Sequence, residues 1–189
     1  MAVYINIDNP FALKIFVDCL SELIFDEMKK GYKTVVFLCV GTDRSTGDSL
    51  GPIVGYKLSP ARLANTFIHG TLDSPVHAKN LIYTLEHIRK KYPSPLIIAI
   101  DACLGSAECV GCISVGRGGI KPGAAVNKEL PLVGNIHITG IVNSTGGFDF
   151  LMLQNTRLNT VMKMADIISS GIMHILQREN HKELFNMLS

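Results

Sequence analysis

Two short runs of uninterrupted apolar residues constrain the fold more than any other feature of the sequence. Residues 34–40 read TVVFLCV and residues 95–100 read PLIIAI. Both runs are rich in β-branched side chains, and neither alternates between apolar and polar residues as a half-exposed strand does. Strands of this kind need cover on both faces. The two runs therefore predict central strands of a mostly parallel sheet that lies between layers of helices.

The segments around these runs show helical or strand-like spacing. Asn9 and Pro10 read as an N-cap and a helix-start proline, followed by apolar residues at helical spacing as far as Gly31. Because strands alternate with helices, the pattern predicts a three-layer α/β/α sandwich formed by one domain over residues 1–189. Further helices are predicted at 50–58, 78–91 and 148–177, the last with a break near 169–171, and further strands at 66–69, 109–115 and 135–142.

Composition narrows the classes of partner. The formal net charge is +2, from 18 basic and 16 acidic residues, so no charge excess favours nucleic acid as a direct partner. Five cysteines lie in mostly apolar surroundings, the N-terminus lacks secretory-signal features, and no apolar run is long enough to span a membrane. These observations predict a cytoplasmic protein without a membrane partner. The hydrophobic fraction of 47% leaves room for a buried interface in a homo-oligomer.

The segment directly after the first apolar run carries the main chemical signal. Residues 41–52 read GTDRSTGDSLGP, and polar Gly-rich loops at the ends of buried strands commonly hold the functional groups of α/β proteins. A phosphate-binding P-loop needs a lysine after its second glycine, where this chain has Asp48. The dinucleotide pattern GxGxxG is also missing. No cofactor is therefore expected.

Two aspartates are the candidate catalytic groups. Asp48 opens the predicted helix at 50–58, and Asp101 ends the predicted strand at 95–100. If neighbouring strands bring the carboxyl groups to one water, one aspartate keeps a proton with a raised pKa and acts as general acid, while its partner acts as base. This arrangement predicts hydrolysis by an activated water. The alternative is structural, with Asp48 as an N-cap and Asp101 as a ligand of loop amides.

Two other segments carry residues with possible chemistry. Cys109 and Cys112 form a CxxC pair, but no second pair or His pair accompanies it. On the predicted strand at 109–115 the two thiols face opposite sides, which argues against redox or zinc chemistry. The loop at 116–134 offers Lys121 and backbone amides that can bind an extended peptide, the alternative being a solvated connector.

Five ordered segments together resemble the spore germination protease superfamily, most closely its shorter sporulation-associated branch. They are GTDRSTGDSLGP, GTLDSPVHAKNL, IDACLG, GGIKPGAAVNKELPLVG and ITGIVN. The resemblance implies an atypical aspartic-type endopeptidase, whose germination relatives degrade the small acid-soluble proteins that coat spore DNA. It assigns the two family acids to Asp48 and Asp101. The residues expected to shape the site and contact substrate are Gly41, Thr42, Asp43, Gly47, His77 and Lys121.

A more distant resemblance is to hydrogenase-maturation endopeptidases, which use Glu, Asp and His to read nickel in their substrate. The chain has glycine in STGGFDF where those relatives place His, so no metal is expected. His69 or His77 are the remaining ligand candidates, although single histidines at such places are more often structural. Asp43 is either a third acid or a partner of Arg44. The sequence thus predicts a sporulation-associated endopeptidase acting on proteins or peptides, with a catalytically inactive peptide-binding protein as the alternative.

Overall fold

A computed structural model describes residues 2–61, 65–122 and 130–188, with side chains as far as residue 178. The strands are β1 (Val3–Asn6), β2 (Thr34–Cys39), β3 (Thr66–His69), β4 (Pro95–Gly105), β5 (Cys112–Arg117) and β6 (Ile136–Ser144). The α-helices are α1 (Ala12–Met28), α2 (Leu50–Leu58), α3 (Leu81–Lys91), α4 (Asp149–Gln154) and α5 (Leu158–Leu188), and 3-10 turns span Thr46–Asp48 and Ala107–Cys109.

The strands form one six-stranded sheet in the order β1-β5-β6-β4-β2-β3. The neighbours β6, β4, β2 and β3 pair in parallel, whereas β5 pairs antiparallel with both β6 and β1. The predicted α/β architecture with a mostly parallel central sheet flanked by helices is therefore confirmed. The uniformly apolar runs form β2 and the first half of β4, which lie side by side in the middle of the sheet.

The two faces of the sheet have different cover. On one face, α1, α2 and α5 pack against side chains such as Phe37, Ile98 and Ile138. On the other face, α3 packs against side chains such as Leu38 and Ile97. We call these the three-helix face, after α1, α2 and α5, and the one-helix face, after α3. The short helix α4 adds Leu153 to the core of the three-helix face.

Several element boundaries differ from the sequence predictions. The edge strand β1 was missed, and the helix after Asn9 begins at Ala12, because the backbone at Asn9 first forms a turn. The last helix does not break near 169–171: the interruption lies between α4 and α5. Gly171 is explained by packing instead, since a Cβ there would lie 2.4 Å from Cδ1 of Phe16 in α1.

The predicted strand at 109–115 was also misplaced. Cys109 belongs to the 3-10 turn, Val110 and Gly111 form a turn, and β5 begins only at Cys112. Gly111 has a φ of +88°, a left-handed conformation that ordinary strand residues avoid. The premise that the two thiols lie on opposite sides of a strand was therefore wrong.

Candidate active site

The candidate site lies where β2 ends and its neighbour β4 continues. The last pair between these strands joins Cys39 to Ile100, after which Asp101 pairs with Thr139 of β6. Asp101 therefore lies inside β4 and does not end the strand as predicted, because β6 goes on pairing with it as far as Gly105. Relative to β2, however, Asp101 stands at the carboxyl edge of the sheet.

The loop after β2 folds back on itself and carries Asp48. The backbone N–H of Thr42 donates to the backbone oxygen of Asp48 at 2.9 Å. Gly41 has a φ of +138°, and a Cβ at this position would lie only 2.1 Å from that same oxygen, so glycine is required here. The following 3-10 turn, which ends at Asp48, packs against β4. The fold thus brings the element that carries Asp48 against the strand that carries Asp101.

Asp48 has the electrostatics of a proton donor. Burial raises the pKa of its carboxyl to about 6, although a hydrogen bond from the Thr42 backbone opposes the shift. A carboxyl group with this pKa holds a proton in part of the molecules near neutral pH, which is what a general acid requires. The alternative interpretation of Asp48 as the N-cap of α2 is wrong, because Ser49 occupies that position.

Asp101 lies on the one-helix face with only 5% of its surface exposed. Ile97 and Ala99, which precede it at alternate positions of β4, belong to the core of that face. Its Oδ1 atom accepts a hydrogen bond from the Ala102 backbone at 2.9 Å. Ala102 is the next residue of β4, so this contact is with a strand amide and not with a loop amide as the structural alternative has it. The catalytic role of Asp101 stays a prediction.

Cys103 and Thr139 are residues of this neighbourhood that the sequence interpretation missed. Burial raises the pKa of the Cys103 thiol to about 11, with a further increase from the Asp101 charge and an opposing hydrogen bond to Thr139. Burial therefore disfavours the thiolate form that a nucleophilic cysteine needs. The available signal was spacing, because a residue two positions after Asp101 lies on the same face of a strand.

Of the predicted substrate-contacting residues, the structure brings His77 close to the loop at Gly41. The Gly41 N–H donates to the oxygen of Val76 at 2.8 Å, and His77 follows directly. The Nδ1 atom of His77 accepts a hydrogen bond from the Lys79 backbone at 3.3 Å. In the neutral ring the proton must then be on Nε2, which makes that atom the available donor.

The exposed acid of the loop is not paired with its neighbour. Asp43 and Arg44 are both exposed, and no ion pair joins them in the part of the chain that the structure describes. The Arg44 backbone donates weakly to the Thr42 hydroxyl, at 3.4 Å. Pairing with Arg44 therefore does not explain Asp43, which stays available as a third acid.

Gly47 and Lys121 differ from the expected arrangement. A Cβ on Gly47 would lie 2.7 Å from the backbone oxygen of Leu153, so this glycine permits close packing against the end of α4. Lys121 is exposed and follows Ile120, which bridges to Val133 just before β6 begins. Their substrate contacts remain predictions, and residues 123–129 of the expected 116–134 binding loop lie outside the described residues.

Ser45, in the same loop, carries an unsatisfied hydroxyl. Its Oγ is buried and is the one buried side-chain polar atom without a hydrogen-bond partner among the described residues. Ser45 precedes the 3-10 turn but makes no side-chain capping bond. By contrast, the hydroxyl of Ser49 donates to the oxygen of Thr46 at 2.6 Å. Buried polar groups are normally paired, so Ser45 is an exception within the candidate site.

The described ranges 2–61, 65–122 and 130–188 contain no group of three or more His, Cys, Asp or Glu side chains placed to hold a metal ion. His69, one of the two remaining ligand candidates, contacts the Tyr92 hydroxyl through Nε2 at 3.1 Å. In the same ranges, no helix is long and apolar enough to cross a membrane.

Comparison with known proteins places the chain in a family. Residues 4–171 match the model of the family described as protein of unknown function DUF1256. The chain belongs to this family. A relative from Bacillus subtilis strain 168, uncharacterized protein YyaC, is 48% identical over 185 residues, which cover 98% of this chain and 89% of the relative.

A solved structure supports the architecture independently. The chain is similar to the crystal structure of the NiFe hydrogenase maturation protease HycI from Thermococcus kodakarensis, with a TM-score of 0.54 at 16% identity. The match covers 82% of this chain and 99% of that one. At this identity the similarity establishes a shared fold and nothing about the chemistry of the site.

Proposed function

We propose that this DUF1256 protein is a sporulation-associated endopeptidase that hydrolyses peptide bonds with Asp48 and Asp101 as an acid/base pair. The observation that carries the proposal is the pKa of Asp48, raised to about 6 by burial in a turn that packs against the strand of Asp101. The fold shared with a maturation protease and the resemblance of the loop segments to germination proteases support the same reaction class.

In the proposed reaction each aspartate has one role. Ionised Asp101 accepts a proton from a water molecule, and the water oxygen attacks the carbonyl carbon of the substrate. Protonated Asp48 gives its proton to the leaving amine as the C–N bond breaks. Its place on the loop that starts at Gly41 lets the same segment support the substrate backbone, with the Nε2–H of His77 as a nearby donor.

The first test is a cleavage assay. Wild type, Asp48→Asn and Asp101→Asn are incubated with purified small acid-soluble spore proteins between pH 5 and 8, and products are followed by intact-mass spectrometry. We expect discrete peptides from wild type and a loss of about 100-fold or more in each variant, the usual contribution of a general acid or base. Asp43→Asn is the matched control, because Asp43 is an exposed carboxylate of the same loop.

The pH profile tests the assignment of Asp48. If its protonated form is the reactive one, wild-type activity falls as the pH rises through about 6. Equal activity of wild type and both Asn variants would contradict the acid/base pair, and absence of cleavage by folded wild type would contradict the peptidase.

A second candidate function is capture of a peptide or protein without cleavage. It is favoured by exposed apolar side chains beside the site: Phe148 is 75% exposed and Phe150 of α4 is 60% exposed. The helix α4 packs against the 3-10 turn of Asp48. A binding protein does not need the two acids, so the same spore proteins should then bind wild type and Asp101→Asn equally in calorimetry, with no products.

A further inference from the structure

The two cysteines of the CxxC segment lie across a tight turn. Val110 has φ −60° and ψ 129°, and Gly111 has a φ of +88°. A type II β-turn has about −60° and +120° at its first central residue and a φ of about +80° at its second. Cys109 and Cys112 are therefore the first and last residues of a type II turn, whose backbone is anchored by the Gly111 N–H donating to Ile141 of β6 at 2.9 Å.

This geometry brings the two residues within reach of a covalent bond. The end residues of a β-turn have Cα atoms less than about 7 Å apart, and disulfides span Cα separations of about 4.4–6.8 Å. Electrostatics indicate the same proximity, because the pKa of Cys112 is raised first by burial and then by the charge of Cys109. Both thiols are free in the structure.

The two cysteines differ in their exposure to solvent. Cys109 is partly exposed at the end of its 3-10 turn, whereas Cys112 is buried at the start of β5. An oxidant in solution therefore meets Cys109 first, and Cys112 lies at the other end of the same turn. A partly exposed thiol with a second thiol across a turn is the arrangement of an attacking and a resolving cysteine.

We propose that Cys109 and Cys112 form a reversible disulfide site. The thiolate of Cys109 attacks one sulfur of a small-molecule disulfide such as oxidised glutathione and releases one glutathione thiolate. Cys112 then loses its proton to solvent and attacks the sulfur of Cys109, which closes the protein disulfide and releases the second glutathione. The two protein thiols are oxidised by two electrons, and the glutathione disulfide is reduced to two thiols.

The experiment counts thiols after equilibration. Wild type is incubated in buffers of graded oxidised-to-reduced glutathione ratio, quenched with acid, alkylated in denaturant and measured by intact-mass spectrometry. The chain has five cysteines, so reduced protein takes five alkyl groups, and we expect three in the oxidised form. Peptide mapping then locates the bridge, and added dithiothreitol should restore all five groups.

Single variants separate the roles. Cys112→Ala should accumulate one glutathione on Cys109, because the resolving thiol is gone. Cys109→Ala should resist modification at buried Cys112, and Cys19→Ala, which removes a partly exposed cysteine of α1, should oxidise as wild type does. Five alkylatable thiols in wild type at every ratio, a bridge between other cysteines, or a dimer linked through Cys109 would overturn the proposal. This readout does not depend on peptidase activity.

Discussion

The three-helix face and the one-helix face of the sheet carry different kinds of side chain at the carboxyl edge. On the three-helix face, Ile100 and Val142 are buried among apolar residues of the surrounding helices. On the one-helix face, the alternate positions of β4 and β6 are Asp101, Cys103 and Thr139. One strand pair thus presents a dry apolar surface on one side and ionisable or hydroxyl groups on the other.

The fold therefore keeps the side chains that stabilise it apart from the side chains available for chemistry. The apolar side is closed by helices from distant parts of the chain, so polar groups there would lose hydration without gaining partners. The other side is covered by α3 and by loop residues such as Val76, Leu130 and Val133. We expect substitutions on the first face to affect folding and substitutions at the carboxyl edge of the second face to affect activity.

The largest expected effect is on the three-helix face. Phe16→Ala removes a fully buried ring that packs at the contact of α1 and α5, and we expect a loss of about 3–5 kcal/mol in the free energy of unfolding. Cys103→Ala, on the other face, should cost about 1 kcal/mol or less, because it removes a partly buried thiol. Urea denaturation measures both, and equal losses would contradict the division between the faces.

The next effect concerns Asp48, on the 3-10 turn that packs against β4, α4 and α5. Its pKa is raised by folding from 3.8 to about 6, so the folded state penalises the ionised form. Stability is therefore greatest below the unfolded pKa and falls as the pH rises through about 6, by about 3 kcal/mol at 1.36 kcal/mol per unit of pKa. Asp48→Asn should remove this loss, so the variant gains on wild type between pH 4 and 7.5.

Denaturation curves of wild type and Asp48→Asn at several pH values check this prediction. Asp43→Asn is again the control, since Asp43 is exposed and its substitution should leave the slope unchanged. A stability difference between wild type and Asp48→Asn that stays constant with pH would show that burial does not perturb this carboxyl.

The smallest effect distinguishes two serines of the candidate loop. Ser49→Ala removes a hydroxyl that donates to the Thr46 oxygen, and we expect a loss of about 1 kcal/mol. Ser45→Ala removes an unpaired buried hydroxyl, so stability should stay the same or rise slightly. Thermal unfolding of the two variants in parallel measures the contrast, and a larger loss for Ser45→Ala would mean that its hydroxyl has a structural partner.

The sequence pattern within a single segment was sufficient to predict some of the strands and helices. The uniformly apolar runs predicted β2 and the start of β4, and the boundaries of α2 were predicted correctly. The edge strand β1 was missed because four residues with one buried side chain carry almost no periodicity. Its existence depends on β5, more than a hundred residues later in the chain.

Glycines were the main source of error. Gly171 was interpreted as a helix break, but it is a point of close contact with Phe16 that only the tertiary structure reveals. Gly111 was placed in a strand, although its positive φ makes it the corner of a turn. For the site, Asp48 was predicted to open α2 but lies in the preceding 3-10 turn, and Asp101 was predicted to end β4 but lies inside it, because β6 extends the pairing of β4 as far as Gly105.

The position of the first elements in the sheet has a consequence for the order of folding. β1 pairs with β5, and Arg117 of β5 binds Glu27 of α1 at 3.0 Å across a separation of 90 residues. The ring of Phe16 meets α5 still later in the chain. Contacts this distant in sequence form slowly. During synthesis on the ribosome, β1 and α1 cannot complete these contacts until β5 and α5 have emerged. β1 and α1 are therefore synthesised well before the elements that complete their contacts.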